Sequence, residues 1–236
     1  MTGLRHQRWA LATLLVLFAA LASIYSVVAP PFEMSDELWH YPMVKTLADG
    51  NGLPIQDPSN PGPWKQEGSQ PPLYYYIGAA ATFWIDTSDF AEVWRPNPHV
   101  DNGVITEDGN INLVVHNQEA EGWPWQGTTL AVHIVRFLSV LMSTASIYFT
   151  YRIGKEVFPE KPWLAVVGAA GMAFTPMFTF ISGAINNDNL AVLLASMGLW
   201  SMMRILREAE AGRSTWHWSV GLGIILGLNA LTKTST

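Results

Sequence analysis

Long apolar runs alternate with short charged breaks along this chain, and the first run sets the pattern. Trp9 to Ala29 carries no charge over 21 residues, enough helix to cross a hydrocarbon core about 30 Å thick. A cleaved signal peptide would have a shorter apolar centre, about 7 to 15 residues, so a retained anchor is expected. Four later runs predict further spanning helices: His133 to Tyr151, Trp163 to Ser182, Leu190 to Met203 and Trp216 to Leu231. Leu73 to Ile85 differs from them. Its 13 residues reach about 20 Å as a helix, too short to cross.

Basic residues choose the topology. With Leu73 to Ile85 kept out of the count, Arg5 and Arg8 share one side with Arg152, Lys155 and Lys161 and with Arg204, Arg207 and Arg213. That is the positive-inside arrangement. If Leu73 to Ile85 crossed, the last two groups would move outside. The expectation is five crossings with a cytoplasmic N-terminus, and a Tyr-rich interfacial helix at Leu73 to Ile85. The fold class expected is an all-α integral membrane protein whose large first extracytoplasmic loop holds interfacial helices and a small β-hairpin. Three parts follow: residues 1–29, the N-terminus and first span; 30–132, the outer loop; and 133–236, four further spans.

Within the outer loop, Pro30 and Pro31 end the first helix. Ser35 or Asp36 then caps a helix running to about Ala48, with Gly50 ending it. On that helix Asp36 and His40 are four apart and share a face. Glu37 lies between them at the membrane surface. Taken alone, these residues are accounted for by capping and interfacial solvation. Pro71 and Pro72 suit the first turn of the interfacial helix, with Glu67 and Gln70 just before it. Val104 to Val115 predicts the hairpin, turning at Asp108-Gly109. The second outer loop, Ile185-Asn186-Asn187-Asp188-Asn189, reads as a turn in which Asp188 caps the next helix. Arg136, about four residues into a span, is positioned to snorkel or to pair with a loop carboxylate.

Composition narrows the classes. The chain is 49% hydrophobic and 14% charged, against about 25% charged in soluble domains. Net charge is −6, from 19 acids and 13 bases. The acids concentrate between residues 33 and 121, and the bases flank the apolar runs. No basic face exists to meet phosphates, so nucleic acid is excluded as a partner. With no Cys, neither disulfides nor thiolate metal sites can form. The 11 Trp and 7 Tyr suit a chain with two membrane interfaces. His99, His116 and His133 are too scattered to predict a metal cluster. A transporter is disfavoured, because no Gly/Pro-broken helix pair repeats.

Together several motifs resemble the GT-C-fold glycosyltransferases, closest to the protein-O-mannosyltransferase-like and aminoarabinose-transferase-like branches. They are Asp36-Glu37 after helix one, Gln70-Pro71-Pro72-Leu73-Tyr74-Tyr75, Val135-Arg136-Phe137-Leu138-Ser139, Tyr151-Arg152-Ile153-Gly154-Lys155, Asn186-Asn187-Asp188 and Leu231-Thr232-Lys233. The resemblance runs from about residue 30 to the C-terminus. It implies sugar transfer from a polyprenyl-phosphate carrier to an acceptor on the outer side of a bacterial plasma membrane, by an inverting displacement. Asp36 would be the catalytic carboxylate, with Glu37 beside it. His40, Glu67, Gln70, Arg136 and Lys233 would line the substrate site. A divalent cation, Mg or Mn, would be held by Asp36 and Asp188, although Asn-x-Asp is weaker than the family's usual acidic pair. The chemistry agrees: a carboxylate takes the acceptor proton, and Arg136 and Lys233 approach the outer face, where phosphate charge develops.

A second expectation is a non-catalytic membrane subunit that keeps the first half of this fold, binds membrane lipids and packs against membrane-protein partners. The chain stops at Lys233-Thr234-Ser235-Thr236, at a helix end, which reads as the N-terminal portion of something longer or as a chain that needs partner helices.

Overall fold

A computed structural model describes residues 2–59, 61–100 and 112–234. The described residues contain ten α-helices and no strand. They are α1 (Thr2–Val28), α2 (Glu37–Ala48), α3 (Leu73–Thr82), α4 (Phe90–Val93), α5 (Gln118–Glu121), α6 (Gly127–Val157), α7 (Trp163–Ala173), α8 (Pro176–Ser182), α9 (Asp188–Glu210) and α10 (Trp216–Ala230), with a 3-10 turn at Lys65–Ser69. The expected hairpin turn at Asp108-Gly109 lies outside the described residues. Beside it only an isolated antiparallel bridge, Pro96 to Val114, is formed.

Among the described residues, three helices are long and apolar enough to cross a membrane: α1 from His6, α6 and α9. The run expected as one span from Trp163 to Ser182, with a kink at Thr175-Pro176, is broken into two helices. α7 and α8 meet at a 69° bend, so they count as a fourth span only if the bent pair crosses as one. The reason is local. Thr175 precedes Pro176 and adopts an extended backbone, φ −71 and ψ 116, because a residue before proline is pushed out of the helical region. α10 has 15 residues, about 22 Å of helix, shorter than a hydrocarbon core about 30 Å thick. α6 and α9 extend well beyond their apolar runs, which explains how the short Leu190 run becomes a full-length helix.

Helices α1, α6, α7 and α9 pack into a bundle, with α10 against α9. One apolar cluster joins α1, α6 and α7 through Phe18, Val140, Ile147 and Ala169. Close approach is achieved with small residues, as lipid-embedded helices require. A Cβ on Gly154 would stand 2.8 Å from Ala165 Cα, and one on Gly183 would stand 2.9 Å from Ala22 O. The other cluster packs α2, α3 and the N-terminal end of α6 around Tyr41, Tyr75, Val135 and Ile185. It seats the first loop directly on the bundle. Outward-facing apolar side chains such as Val16, Ile24 and Val220 stay exposed, the surface expected of helices solvated by lipid.

Candidate active site

Four segments converge at one end of the bundle: the turn from α1 into α2, the start of α3, the corner from Gly183 to Asp188, and the end of α10. A single buried ion pair organises them. Arg136 and Glu37 are both fully buried, and Arg136 donates through Nε to Glu37 Oε1 at 2.8 Å. Its other donors reach Glu37 Oε2 and the carbonyls of Ser26, Ala29 and Pro30. All five guanidinium N–H groups are therefore used, several on the open carbonyls at the C-terminal end of α1. Glu37 also accepts from the N–H of Phe32 and of Ile185. Arg136 thus joins α1, α2 and the second loop, and it has no N–H left over for a phosphate. The sequence left Arg136 either to snorkel or to pair with a loop carboxylate, and did not single out Glu37 as the partner. Only the structure shows that the pairing occupies both partners completely.

Beside this pair stands a polar chain the sequence did not single out. The three tyrosines after Pro71-Pro72 begin α3, whose first N–H bonds Leu231 O at the end of α10. Tyr74 bonds Ser139 at 2.8 Å and accepts from the Asn186 N–H. Tyr75 donates to Glu67 at 3.4 Å and lies 2.8 Å from His40 Nδ1. With the hydroxyl proton directed at Glu67, the tyrosine oxygen accepts from Nδ1–H. Burial lowers the His40 pKa to about 3, with Lys233 adding to the effect. The ring is therefore neutral, and its 3.4 Å approach to Glu67 is not an ion pair. Burial, then the nearby charge of Asp36, raises the Glu67 carboxyl above its ordinary value. The available signal was chemical: a buried tyrosine needs a partner for its hydroxyl.

Asp36 behaves unlike its neighbour. It is exposed and sits at the α2 N-cap position in the left-handed region, φ 47 and ψ 2, without a side-chain capping bond. The expected cap is therefore absent, and the carboxylate faces outward. Asp tolerates this backbone better than most residues. Phe32 and Lys65 also have positive φ, 68 and 43, so three non-glycine residues around the site have unusual backbones. Asp188 begins α9 and does not cap it, since Asn186 Oδ1 accepts the Asp188 N–H instead. Its carboxylate pairs with Lys233. Both are partly open, with side-chain exposures of 39% and 24%. Asn189 secures the corner, donating to the Ile181, Ala184 and Asn186 carbonyls and accepting from Ser143. Gln70 closes the 3-10 turn through its backbone N–H to Glu67 O.

Electrostatic coupling runs between Asp36 and Glu67, between Lys233 and both His40 and Glu67, and between Asp188 and Tyr75. Asp36, His40, Glu67, Asp188 and Lys233 therefore lie within electrostatic reach of one another or of Tyr75. A divalent cation finds no ready ligand set among them. Among the described residues no three His, Asp or Glu side chains converge as metal ligands, and Lys233 already engages Asp188.

Residues 130–236 match the family described as dolichyl-phosphate-mannose-protein mannosyltransferase. This stretch, a little under half of the chain, is similar to the GT-C-type mannosyltransferases. The matched stretch holds Arg136, the Asn186 to Asp188 corner and Lys233. It leaves out Asp36, His40, Glu67 and Gln70. No curated protein and no solved structure matches the chain.

Proposed function

We propose that this protein, or the longer protein of which it is part, transfers a sugar from a polyprenyl-phosphate-linked donor to an acceptor on the extracytoplasmic face, with Asp36 as the catalytic carboxylate. The observation that carries this reading is the contrast at the α1–α2 turn. Glu37 and Arg136 are spent on each other and on backbone, which makes them positioning residues. Asp36, one residue earlier, is exposed and electrostatically coupled to Glu67. An Asp36 oxygen takes the acceptor hydroxyl proton as the acceptor oxygen bonds the anomeric carbon. The carbon–oxygen bond to phosphate breaks, its electron pair leaves on the phosphate oxygen, and the Lys233 ammonium offsets that charge. Asp188 holds Lys233, and the His40–Tyr75–Glu67 chain shapes the wall. The match to a lipid-linked mannosyltransferase family supports a lipid-linked donor.

The accompanying layout has five crossings: α1, α6, the bent pair α7–α8, α9 and α10. The N-terminus is cytoplasmic and residues 30–132 are outside, in a bacterial plasma membrane. This layout leaves all three basic groups on one side. A cysteine introduced at Asn97 should label with a membrane-impermeant reagent from outside; labelling from the cytoplasm alone refutes the layout.

Asp36→Asn, made in the full-length protein in membranes, should reduce transfer from a polyprenyl-phosphate-linked sugar by roughly 10²- to 10⁴-fold. Unchanged turnover would end the assignment. A non-catalytic membrane subunit is the second reading, favoured by the family match stopping short of Asp36 and Glu67. A chain that copurifies with a larger membrane complex and shows no transfer in either form would support it.

A further inference from the structure

Opposite the candidate site, α1, α6 and α9 enclose a cavity of about 510 Å³. Arg152 in its wall is 16 residues along α6 from Arg136, about 24 Å away. Arg8, Arg152, Lys155 and Arg204 line the cavity with Tyr151 and the single acid Glu156. Glu156 is already taken by Arg204 at 3.2 Å and approached by Arg207 at 4.0 Å, and Arg204 also pairs with Glu208. Three cations remain. Among the described residues Arg8, Arg152 and Lys155 have no ion pair.

Two of the three lie against aromatic rings. The Arg152 guanidinium lies over the Trp200 ring, 4.5 Å from its centre, and donates to Tyr148 Oη at 2.7 Å. The Lys155 ammonium lies 5.8 Å from the Tyr151 ring centre. Three like charges around one cavity repel one another unless an anion enters. A phosphate group matches them in charge, and the planar guanidinium groups suit its oxygens.

We propose that this cavity binds the phosphate headgroup of an anionic membrane lipid. A lipid is favoured over a free anion because the cavity adjoins bare apolar surface. Trp9, next to Arg8, is 65% exposed, and Val157, next to Glu156, is 47% exposed. Acyl chains can continue along that surface while the headgroup fills the cavity, as at other basic pockets between membrane helices. The inference is independent of the chemistry proposed for Asp36.

The test uses the purified, delipidated full chain in detergent, with native mass spectrometry counting bound lipid. Phosphatidylglycerol should be retained over phosphatidylcholine by roughly a hundredfold, and the double variant Arg152→Gln/Lys155→Gln should weaken phosphatidylglycerol binding roughly fivefold per charge removed. Arg8→Gln should weaken it by a similar single step. That position is exposed and has no ion pair, so its variant keeps the test valid if the double variant misfolds. Equal retention of both lipids, or unchanged phosphatidylglycerol binding in Arg8→Gln, would overturn the proposal. Complete displacement by excess inorganic phosphate would overturn the lipid identity and leave a soluble-anion site.

Discussion

At one end of the bundle Arg136 and Lys233 each hold a carboxylate; at the other, Arg8, Arg152 and Lys155 hold none among the described residues. The first end is closed on itself. Its buried pair ties the end of α1 to α2 and to the second loop, so charge there serves architecture, while Asp36, Gln70 and the Asp188–Lys233 pair keep some exposure. The second end has cations stacked on aromatic rings around a cavity. A charge that is matched inside the fold holds elements together, whereas one left unmatched in a defined cavity is available to a ligand.

The same contrast recurs in miniature between Asp36 and Glu37, and it can be broken by mutation. The largest effect is expected at the buried pair. Arg136→Gln strands Glu37 in a dry interior and frees the carbonyls at the end of α1. The loss should be about 3 to 5 kcal/mol, read as a lowered melting temperature by tryptophan fluorescence in detergent. Asp36→Asn should cut transfer by roughly 10²- to 10⁴-fold yet change stability by less than about 0.5 kcal/mol. Equal destabilisation by both variants would erase the distinction between the two carboxylates.

A smaller effect concerns acid. His40 has its pKa lowered to about 3, mainly by burial and then by Lys233, from an ordinary 6.5. The stability this contributes is complete above pH 6.5 and is lost as the pH falls toward 3. At pH 4 the loss should be on the order of 3 kcal/mol, and His40→Gln should flatten the fall between pH 6.5 and 4 in thermal melts. Glu67 works in the opposite sense. Its raised value means that protonation on acidification favours the fold, so Glu67→Gln should steepen the acid loss. If wild type and His40→Gln melt identically across this range, His40 is not held neutral by burial.

How much was legible beforehand follows from the range of the forces involved. Periodicity and run length gave α1, α6, α9 and the break into a large loop, because a helix that spans lipid needs an apolar stretch of fixed minimum length. Charge placement gave the basic end, and Pro71-Pro72 gave the start of α3. The helix from Glu37 to Ala48 followed from its flanking prolines and glycine. The two-piece α7–α8 was visible only as the Thr175-Pro176 break, a local signal that marks where a helix bends but not by how much, here 69°.

The sequence by itself therefore determined a membrane-embedded helical chain with acids gathered in its first loop, since both features are sums over neighbouring residues. Tertiary structure alone decided which of two adjacent carboxylates is buried and which faces outward. It also decided that Arg136 is consumed by the scaffold, and that Tyr75 links His40 to Glu67. Each of these rests on contacts between residues from 8 to 148 positions apart. Burial and pairing at that separation are set by packing, which no local pattern encodes.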